Sequence, residues 1–294
     1  MVAHAPSPAI APDLPALDTQ AAALSQAVVS SLVDEARLSP KPGLVDRRGS
    51  GAHDDLSLAL MSRSAHSLGP AFMAMARAGQ RANAPDVTLR ETLAQIGRHA
   101  EATMMAATGG VNTHRGAIWA LGLLVAAAAI EPGNTVAAQT ASIAAAIAAH
   151  PDRFGPSRTG HKGEQACLRF RVAGARGQAQ AGFPHVIELG LPELKRSRAR
   201  GDGETSARLN ALLAIMSRLD DTCVLSRGGL AALTQLQDAA AAVLAAGGTA
   251  TLSGRRALRR LDADALASKL SPGGAADLLA ATLFLDRIEE LYEA

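Results

Sequence analysis

Hydrophobic positions recur along most of this chain with the spacing of amphipathic helices. The first helix is predicted from about Gln20 to near Ser39, because Pro40 cannot continue it. After a polar loop, the same spacing predicts helices at about 56–80, 88–108, 115–130, 135–149, 206–219, 228–246, 255–269 and 275–293. No segment alternates convincingly enough for a strand, so the pattern predicts an all-α fold.

Two regions fall outside this pattern. Residues 1–18 hold four prolines among alanines, and we expect a disordered tail ahead of one all-α domain at 19–294. Between about 151 and 205 the helical spacing gives way to Gly, Pro, Arg and Lys. We expect a flexible insertion or lid there.

Composition narrows the classes of function. Hydrophobic residues make up 48% of the 294 residues, which is enough for a packed core, but aromatics are only 2%. So few aromatics argue against a surface that stacks nucleic-acid bases. With 29 Lys and Arg against 27 Asp and Glu, the chain is not a general polyanion binder. The apolar runs are too short to span a membrane and no charged leader is present, which favours a cytoplasmic protein.

Polar, glycine-rich or proline-rich segments interrupt the helices at four junctions, where a site would most naturally be assembled. The junctions are residues 41–55, 109–116, 220–229 and 271–277.

The second junction reads Gly109-Gly110-Val111-Asn112-Thr113-His114-Arg115-Gly116. Asn112 or Thr113 can cap the helix that follows, and the helix N-terminus favours an anion such as a phosphate. An ordinary capped helix explains the Asn, Thr and Gly without any ligand. It does not explain His114 and Arg115.

Two pairs of adjacent acids, Asp54-Asp55 and Asp220-Asp221, have no cation immediately beside them. Such pairs are unfavourable unless they are solvated or bridged by a cation, and carboxylate oxygens suit Mg²⁺. The alternative is a solvated helix start, stabilised by the helix dipole. Asp220-Asp221 is harder to explain in this way, because apolar segments flank it on both sides.

Cations lie in the same junctions as the acids: Lys41, Arg47, Arg48, Arg115 and Arg227. His53 and His114 could bind a metal, move a proton or contact phosphate, although a lone His is more often structural. Together these groups suit a polyphosphate, and a nucleoside triphosphate is the favoured ligand class.

Six segments in order resemble the triphosphoribosyl-dephospho-coenzyme A synthase family. They are Glu35 with 38–46 (Leu-Ser-Pro-Lys-Pro-Gly-Leu-Val-Asp), 51–55 (Gly-Ala-His-Asp-Asp), 110–116, 175–177 with 181–184, 219–222 through 227–229, and 270–277. Two positions depart from the family pattern: Arg115 stands where Lys is expected, and Gln178 where Glu is expected.

The resemblance implies that the 2′-hydroxyl of 3′-dephospho-coenzyme A attacks the adenine-bearing ribosyl carbon of ATP and releases adenine. The product would pass to a holo-acyl-carrier-protein synthase for malonate decarboxylase, which we favour, or for citrate lyase. The candidate catalytic residues are His53, Asp54, Asp55, His114, Asp220 and Asp221, and the four aspartates are also the candidate Mg²⁺ ligands. The candidate substrate-binding residues are Lys41, Asp46, Asn112, Thr113, Arg115, Gly116, Arg227, Gly228, Ser271 and Asp277.

Two other classes of function are also compatible with the sequence. A Mg²⁺-dependent all-α hydrolase of ADP-ribosyl or nucleotide bonds would use similar carboxylates with water as acceptor. A non-catalytic helical module that recognises the decarboxylase or its carrier protein would need neither the acids nor ATP. The sequence leaves the oligomeric state open.

Overall fold

The computed structural model describes residues 14–156 and 158–293, and the side chains of 17–156 and 158–290. These residues contain no β-strand and only one isolated bridge, between Asp46 and Gly49. The all-α prediction is therefore confirmed. The α-helices are α1 (Leu14–Arg37), α2 (Leu58–Ser67), α3 (Gly69–Arg81), α4 (Val87–Ala107), α5 (Arg115–Ile130), α6 (Ala137–Ala149), α7 (Lys162–Phe170), α8 (Gly174–Gln180), α9 (Leu191–Ala199), α10 (Glu204–Met216), α11 (Thr222–Ala245), α12 (Leu252–Ala267) and α13 (Gly273–Glu293).

Helix α5 forms the centre of the fold. Its residues from Ala117 to Ala129 are buried almost without exception, as expected of a helix that is apolar on every side. It packs against α1, α3, α4, α6, α8 and α13. The second junction leads directly into this helix, so the position of that junction is fixed by the core.

Two predicted helices differ from the structure. The segment at 56–80 is two helices, which meet at the buried Leu68 just before Gly69 and Pro70. Pro70 lies in the first turn of α3, where its missing N–H costs nothing. Helix α11 begins at Thr222 rather than near 228, and contains a kink at Gly229, whose φ is 72°.

The predicted tail also ends earlier than expected. Residues 14–18 belong to α1, and the rest of the tail lies outside the described residues.

The segment at 151–205 is more regular than its sequence pattern indicated. It contains α7, α8, a π-helical turn at His185–Gly190 and α9. Phe183, Val186 and Leu194 are fully buried, so parts of the segment belong to the hydrophobic core. These elements are too short for the 3.6-residue period to emerge among so many glycines and arginines. That the segment moves as a lid stays a prediction.

None of the described helices is both long enough and apolar enough to cross a membrane.

Helices α3 and α5 approach each other closely at Gly79. A Cβ added at Gly79 would lie 2.2 Å from the Ala126 carbonyl oxygen of α5. Gly79→Ala should therefore lower the free energy of unfolding by about 1–3 kcal/mol, through overpacking. The control is Gly97→Ala in α4, where a Cβ would meet nothing closer than 3.9 Å. That change should be neutral or stabilising by up to about 1 kcal/mol, because Ala is the better helix former. Equal effects of the two substitutions in urea unfolding would contradict this packing.

Candidate active site

The four polar junctions meet at one place in the fold. A Cβ at Gly43 of the first junction would lie 2.2 Å from the Leu270 carbonyl oxygen, next to the fourth. Arg227 of the third junction donates to the carbonyl oxygens of Ala52 (3.3 Å) and Lys269 (3.1 Å). Gly116 of the second junction lies against Asp277 of the fourth. Segments far apart in sequence are thus assembled beside the first turns of α5, α11 and α13.

Asp221 joins the N-termini of two helices. One carboxylate oxygen accepts the N–H of Cys223 (2.8 Å) and of Val224 (3.4 Å) in α11. The other accepts the N–H of Ala275 in α13, at 2.9 Å. Burial raises the pKa of Asp221, although these backbone N–H groups act in the opposite direction. This buried carboxylate is therefore a structural link as well as a candidate catalytic group.

The Asp277 carboxylate lies at the N-terminus of α5, where the sequence predicted a bound phosphate. Its Oδ2 would lie 2.1 Å from a Cβ at Gly116, so only glycine allows the carboxylate to come this close to the start of α5. Burial raises the pKa of Asp277 well above its ordinary value, and the neighbouring carboxylates of Glu35 and Asp221 raise it further. Asp277 as a whole residue is half-buried.

Lys41 and Glu35 form a buried ion pair. Lys41 is only 1% exposed and Glu35 only 3%. The Lys41 ammonium contacts the Glu35 carboxylate and donates to the Glu35 carbonyl oxygen at 2.7 Å. Lys41 was expected to bind phosphate, but its charge is neutralised by the Glu35 carboxylate, which lies near Asp277.

Asp46 organises the loop that carries Lys41. Its carboxylate accepts the backbone N–H of Lys41 (2.9 Å) and of Arg48 (2.7 Å), and pairs with the Arg48 guanidinium. Burial raises the pKa of Asp46, but the hydrogen bonds from Arg48 and Lys41 outweigh it and lower the pKa overall. Arg48 also bridges to Asp262 of α12, at 2.5 Å. These contacts hold the first junction against α12.

His114 is buried at the start of α5. Its Nδ1 lies 2.8 Å from the Ser64 hydroxyl, which in turn lies 2.6 Å from the Thr113 hydroxyl. Its Nε2 is buried and has no hydrogen-bond partner among residues 14–156 and 158–293. Burial, and then the positive charge of Lys41, lower the pKa of His114 to about 4, so the ring is neutral near pH 7.

Asn112 and Arg115 complete this junction on its exposed side. The Asn112 side chain accepts the N–H of Arg115, the first residue of α5, at 3.3 Å. Arg115 itself pairs with Glu101 of α4 at 2.9 Å. The N-cap position of α5 is His114, which makes no side-chain capping hydrogen bond, so the expected capping by Asn112 or Thr113 is not found, and Asn112 contacts the first turn from two residues before the cap.

His53, Ser271 and Arg227 form a polar group at the rim. Arg227 lies 3.3 Å from His53 Nδ1, and Nε2 lies 2.8 Å from the Ser271 hydroxyl. A guanidinium can only donate, so Nδ1 is the acceptor and Nε2–H donates to Ser271. Burial, and then Arg227, lower the pKa of His53. Gly228 lies beside this group, where a Cβ would come within 2.9 Å of Leu270.

The four candidate metal-binding aspartates do not share one site. Asp54, Asp55 and Asp220 are exposed, whereas both oxygens of Asp221 accept backbone N–H groups. Asp54 lies 3.6 Å from Lys269, and Asp55 lies 3.7 Å from His53. Within 14–156 and 158–293, no group of three or more His, Cys, Asp or Glu residues could hold a metal ion. The protein alone therefore does not offer a cage that fits Mg²⁺.

Two residues of this site, Ser64 and Asp262, were not named from the sequence, and Glu35 was named only as part of a family segment, without a role. One feature of the sequence could have indicated that Glu35 is buried: it lies three residues after Leu32, on the buried face of α1. No such feature marks Ser64 or Asp262, since each is one of several polar residues in an ordinary amphipathic helix.

A cleft of about 330 Å³ lies elsewhere, lined in part by Arg198, Arg208 and Arg287. Each of these arginines is paired with an acid: Arg198 with Asp286, and the other two with Asp34. Its cations are already neutralised, so this cleft is a poor candidate for a phosphate site.

Comparison with known proteins gives a consistent result. The family described as ATP:dephospho-CoA triphosphoribosyl transferase matches residues 21–294. A Klebsiella pneumoniae protein named 2-(5''-triphosphoribosyl)-3'-dephosphocoenzyme-A synthase is 59% identical over 265 residues, covering 90% of this chain and 94% of its own. A Pseudomonas fluorescens protein, named a probable synthase of the same kind, is 60% identical over 266 residues, covering 90% and 91%. No solved structure matches.

The contacts of Asp221 generate a stability prediction. In Asp221→Asn the amide nitrogen cannot accept an N–H, so one of the two helix starts loses its partner. The free energy of unfolding in urea should fall by about 1–3 kcal/mol. Asp220→Asn changes the same residue type at an exposed neighbouring position and should cost no more than about 0.5 kcal/mol. Similar stability of the two variants would show that Asp221 does not link the helices.

Burial of neutral His114 generates a pH prediction. The ordinary His pKa is 6.5 and that of folded His114 is about 4, so the unfolded chain binds the extra proton first as the pH falls. The free energy of unfolding should therefore decrease from about pH 6.5 to about pH 4, by up to about 3 kcal/mol from this residue. His114→Gln should remove that part of the slope, whereas His66→Gln, at an exposed position, should leave it unchanged. Parallel pH profiles for wild type and His114→Gln would contradict the buried neutral ring.

Proposed function

Because this chain belongs to the ATP:dephospho-CoA triphosphoribosyl transferase family, we propose that it joins the triphosphoribosyl group of ATP to 3′-dephospho-coenzyme A. The bond between ribose C1′ and adenine breaks, and a bond forms from C1′ to the 2′-hydroxyl oxygen of the acceptor. Adenine leaves and takes up a proton, while the acceptor hydroxyl loses one. The triphosphate is not cleaved.

The observation that carries this proposal is the Asp277 carboxyl group beside the start of α5. Departure of adenine develops positive charge on the ribose, as in glycoside cleavage, and nearby carboxylates stabilise that charge. Glu35 and Asp221 lie close enough to raise the pKa of Asp277, so three carboxyl groups share one neighbourhood. A raised pKa also suits a general base, because it lies closer to the working pH. We assign Asp277 as the group that accepts the hydroxyl proton.

The rim supplies contacts for phosphate. Arg227 and His53 lie together at the exposed edge, with Lys269 nearby. Arg227 is not paired with a carboxylate among the described residues, unlike Lys41 and Arg115, so it is the better phosphate partner. A bound triphosphate that is not broken can position the ribose for attack.

Mg²⁺ belongs to this proposal as part of the ATP substrate. In proteins Mg²⁺ commonly binds through one or two carboxylates together with substrate phosphates, and keeps several waters. Asp54 and Asp55 are exposed carboxylates next to His53, and they would serve this role. No chemical step depends on the ion.

We also propose which enzyme system uses the product. We favour transfer to a holo-acyl-carrier-protein synthase that serves malonate decarboxylase, with citrate lyase as the alternative. The names of the relatives do not distinguish the two systems. Because both systems would use the same product, the carrier protein that stays unloaded in cells lacking this enzyme would decide between them.

The transferase proposal predicts coupled products. The purified protein, given ATP and Mg²⁺ with 3′-dephospho-coenzyme A, should release adenine in step with a triphosphoribosyl adduct detected by mass spectrometry. Without the acceptor, adenine release should fall to the background. Adenine or ADP-ribose released without any adduct would instead support the hydrolase, and no product from folded protein would support a non-catalytic module.

The role of Asp277 predicts a large loss of turnover. Asp277→Asn should lower kcat by about 10²–10⁴-fold, which is typical for removal of a general base. In the wild type, kcat/KM should fall as the pH is lowered through the raised pKa of Asp277, above the ordinary value of 3.8. Asp264→Asn, at an exposed position of α12, serves as the control and should keep full activity. Wild-type kcat in Asp277→Asn would remove this residue from the chemistry.

A further inference from the structure

A group of arginines surrounds the only tryptophan of the chain. The Arg90 guanidinium of α4 stacks over the Trp119 ring of α5, 4.8 Å from its centroid. The indole N–H of Trp119 donates to the carbonyl oxygen of Ala175 in α8, at 3.2 Å. The next residue, Arg176, lies close enough for its charge to lower the pKa of Arg90. Two cations from different helices thus lie near this aromatic side chain.

The positive charge of this group is not balanced by nearby acids. Arg98 is a third cation and pairs with Asp152 at 2.6 Å. Arg90 and Arg176 have no ion pair among the described side chains, and Glu91, beside Arg90, is paired with Arg153. Asp152 therefore pairs with only one of the three guanidinium groups, that of Arg98. Burial lowers the pKa of Arg90; the charge of Asp152 raises it, and the charges of Arg176 and Arg98 lower it.

Arg90 also carries an unused donor. Its Nε is buried and has no hydrogen-bond partner within the described part of the chain, although a buried donor normally has one. Like charges held together beside an unsatisfied donor are costly, and a bound anion relieves both costs. An oxyanion with several oxygens, such as a diphosphate, matches the fork geometry of guanidinium groups.

The location connects the group to the candidate active site. Trp119 lies three residues after Gly116, on the same side of α5 and about 4.5 Å further along its axis. The two substrates of the proposed reaction both carry phosphate chains, and Arg227 with His53 lies at the other side of the site.

We propose that Arg90, Arg98 and Arg176 around Trp119 form a second anion site, which holds the diphosphate of 3′-dephospho-coenzyme A. The assignment to this substrate rests on the proposed function, whereas the anion site itself does not. Arg176 belongs to the segment at 151–205, so that segment contributes directly to substrate binding.

Trp119 itself reports on the site, because no other tryptophan contributes to the fluorescence. Titration of the full-length protein with inorganic pyrophosphate should give a saturable change in tryptophan emission. Arg176→Gln removes an exposed side chain and should weaken this binding roughly 10- to 100-fold, as expected for loss of a charge-assisted hydrogen bond. The matched control is Arg169→Gln, an arginine of α7 that stacks on Phe170 instead, and it should bind pyrophosphate like the wild type. No saturable change in the wild type, or equal affinity in Arg176→Gln, would overturn the anion site.

Steady-state kinetics identify which phosphate chain the site holds. Arg176→Gln should raise the KM for 3′-dephospho-coenzyme A about tenfold and leave the KM for ATP unchanged, because charge-assisted contacts contribute binding energy of that order. The reverse split would assign the site to the triphosphate of ATP and overturn the choice of substrate. Unchanged KM values for both substrates would overturn a role in the reaction. Pyrophosphate binding needs no turnover, so failure of the transferase proposal would not affect the fluorescence result.

Discussion

The candidate site depends on three helix N-termini that begin side by side. Asp221 accepts backbone N–H groups from the first turns of both α11 and α13, and Asp277 at the start of α13 lies against Gly116 at the start of α5. Helix N-termini attract negative charge, and here the protein itself supplies it. The result is a group of carboxylates held in a largely buried region by backbone dipoles. Cation-stabilising chemistry requires such a group.

The carboxylates of this region are neutralised to different extents. Lys41 compensates Glu35 almost out of contact with water, whereas Asp277 keeps a raised pKa and partial exposure. The buried pair therefore stabilises the fold around the site, and the less compensated carboxyl group is the one available for proton transfer. Burial beside the positive charge of Lys41 likewise keeps the ring of His114 neutral.

The sequence predicted most helices because long apolar periods determine them, and α5 shows this most clearly. It did not predict α7, α8 or α9, since elements of seven to nine residues provide too few periods. Polar junctions pointed to the right segments, but not to how they pair. Asp221 looked like a metal ligand in sequence, whereas its oxygens accept N–H groups from two helix starts, and the second of these, at Ala275, is 54 residues from Asp221. Likewise, nothing local in sequence brings α8 to Trp119.

We propose that residues 41–55, 109–116, 220–229 and 271–277 form one nucleotide site. Amide hydrogen exchange, followed by mass spectrometry, with and without ATP and Mg²⁺, tests this directly. Peptides from all four segments should become protected together, while peptides from the cleft lined by Arg198, Arg208 and Arg287 should not change. Protection at that cleft alone, or at only one of the four junctions, would rule out a single nucleotide site.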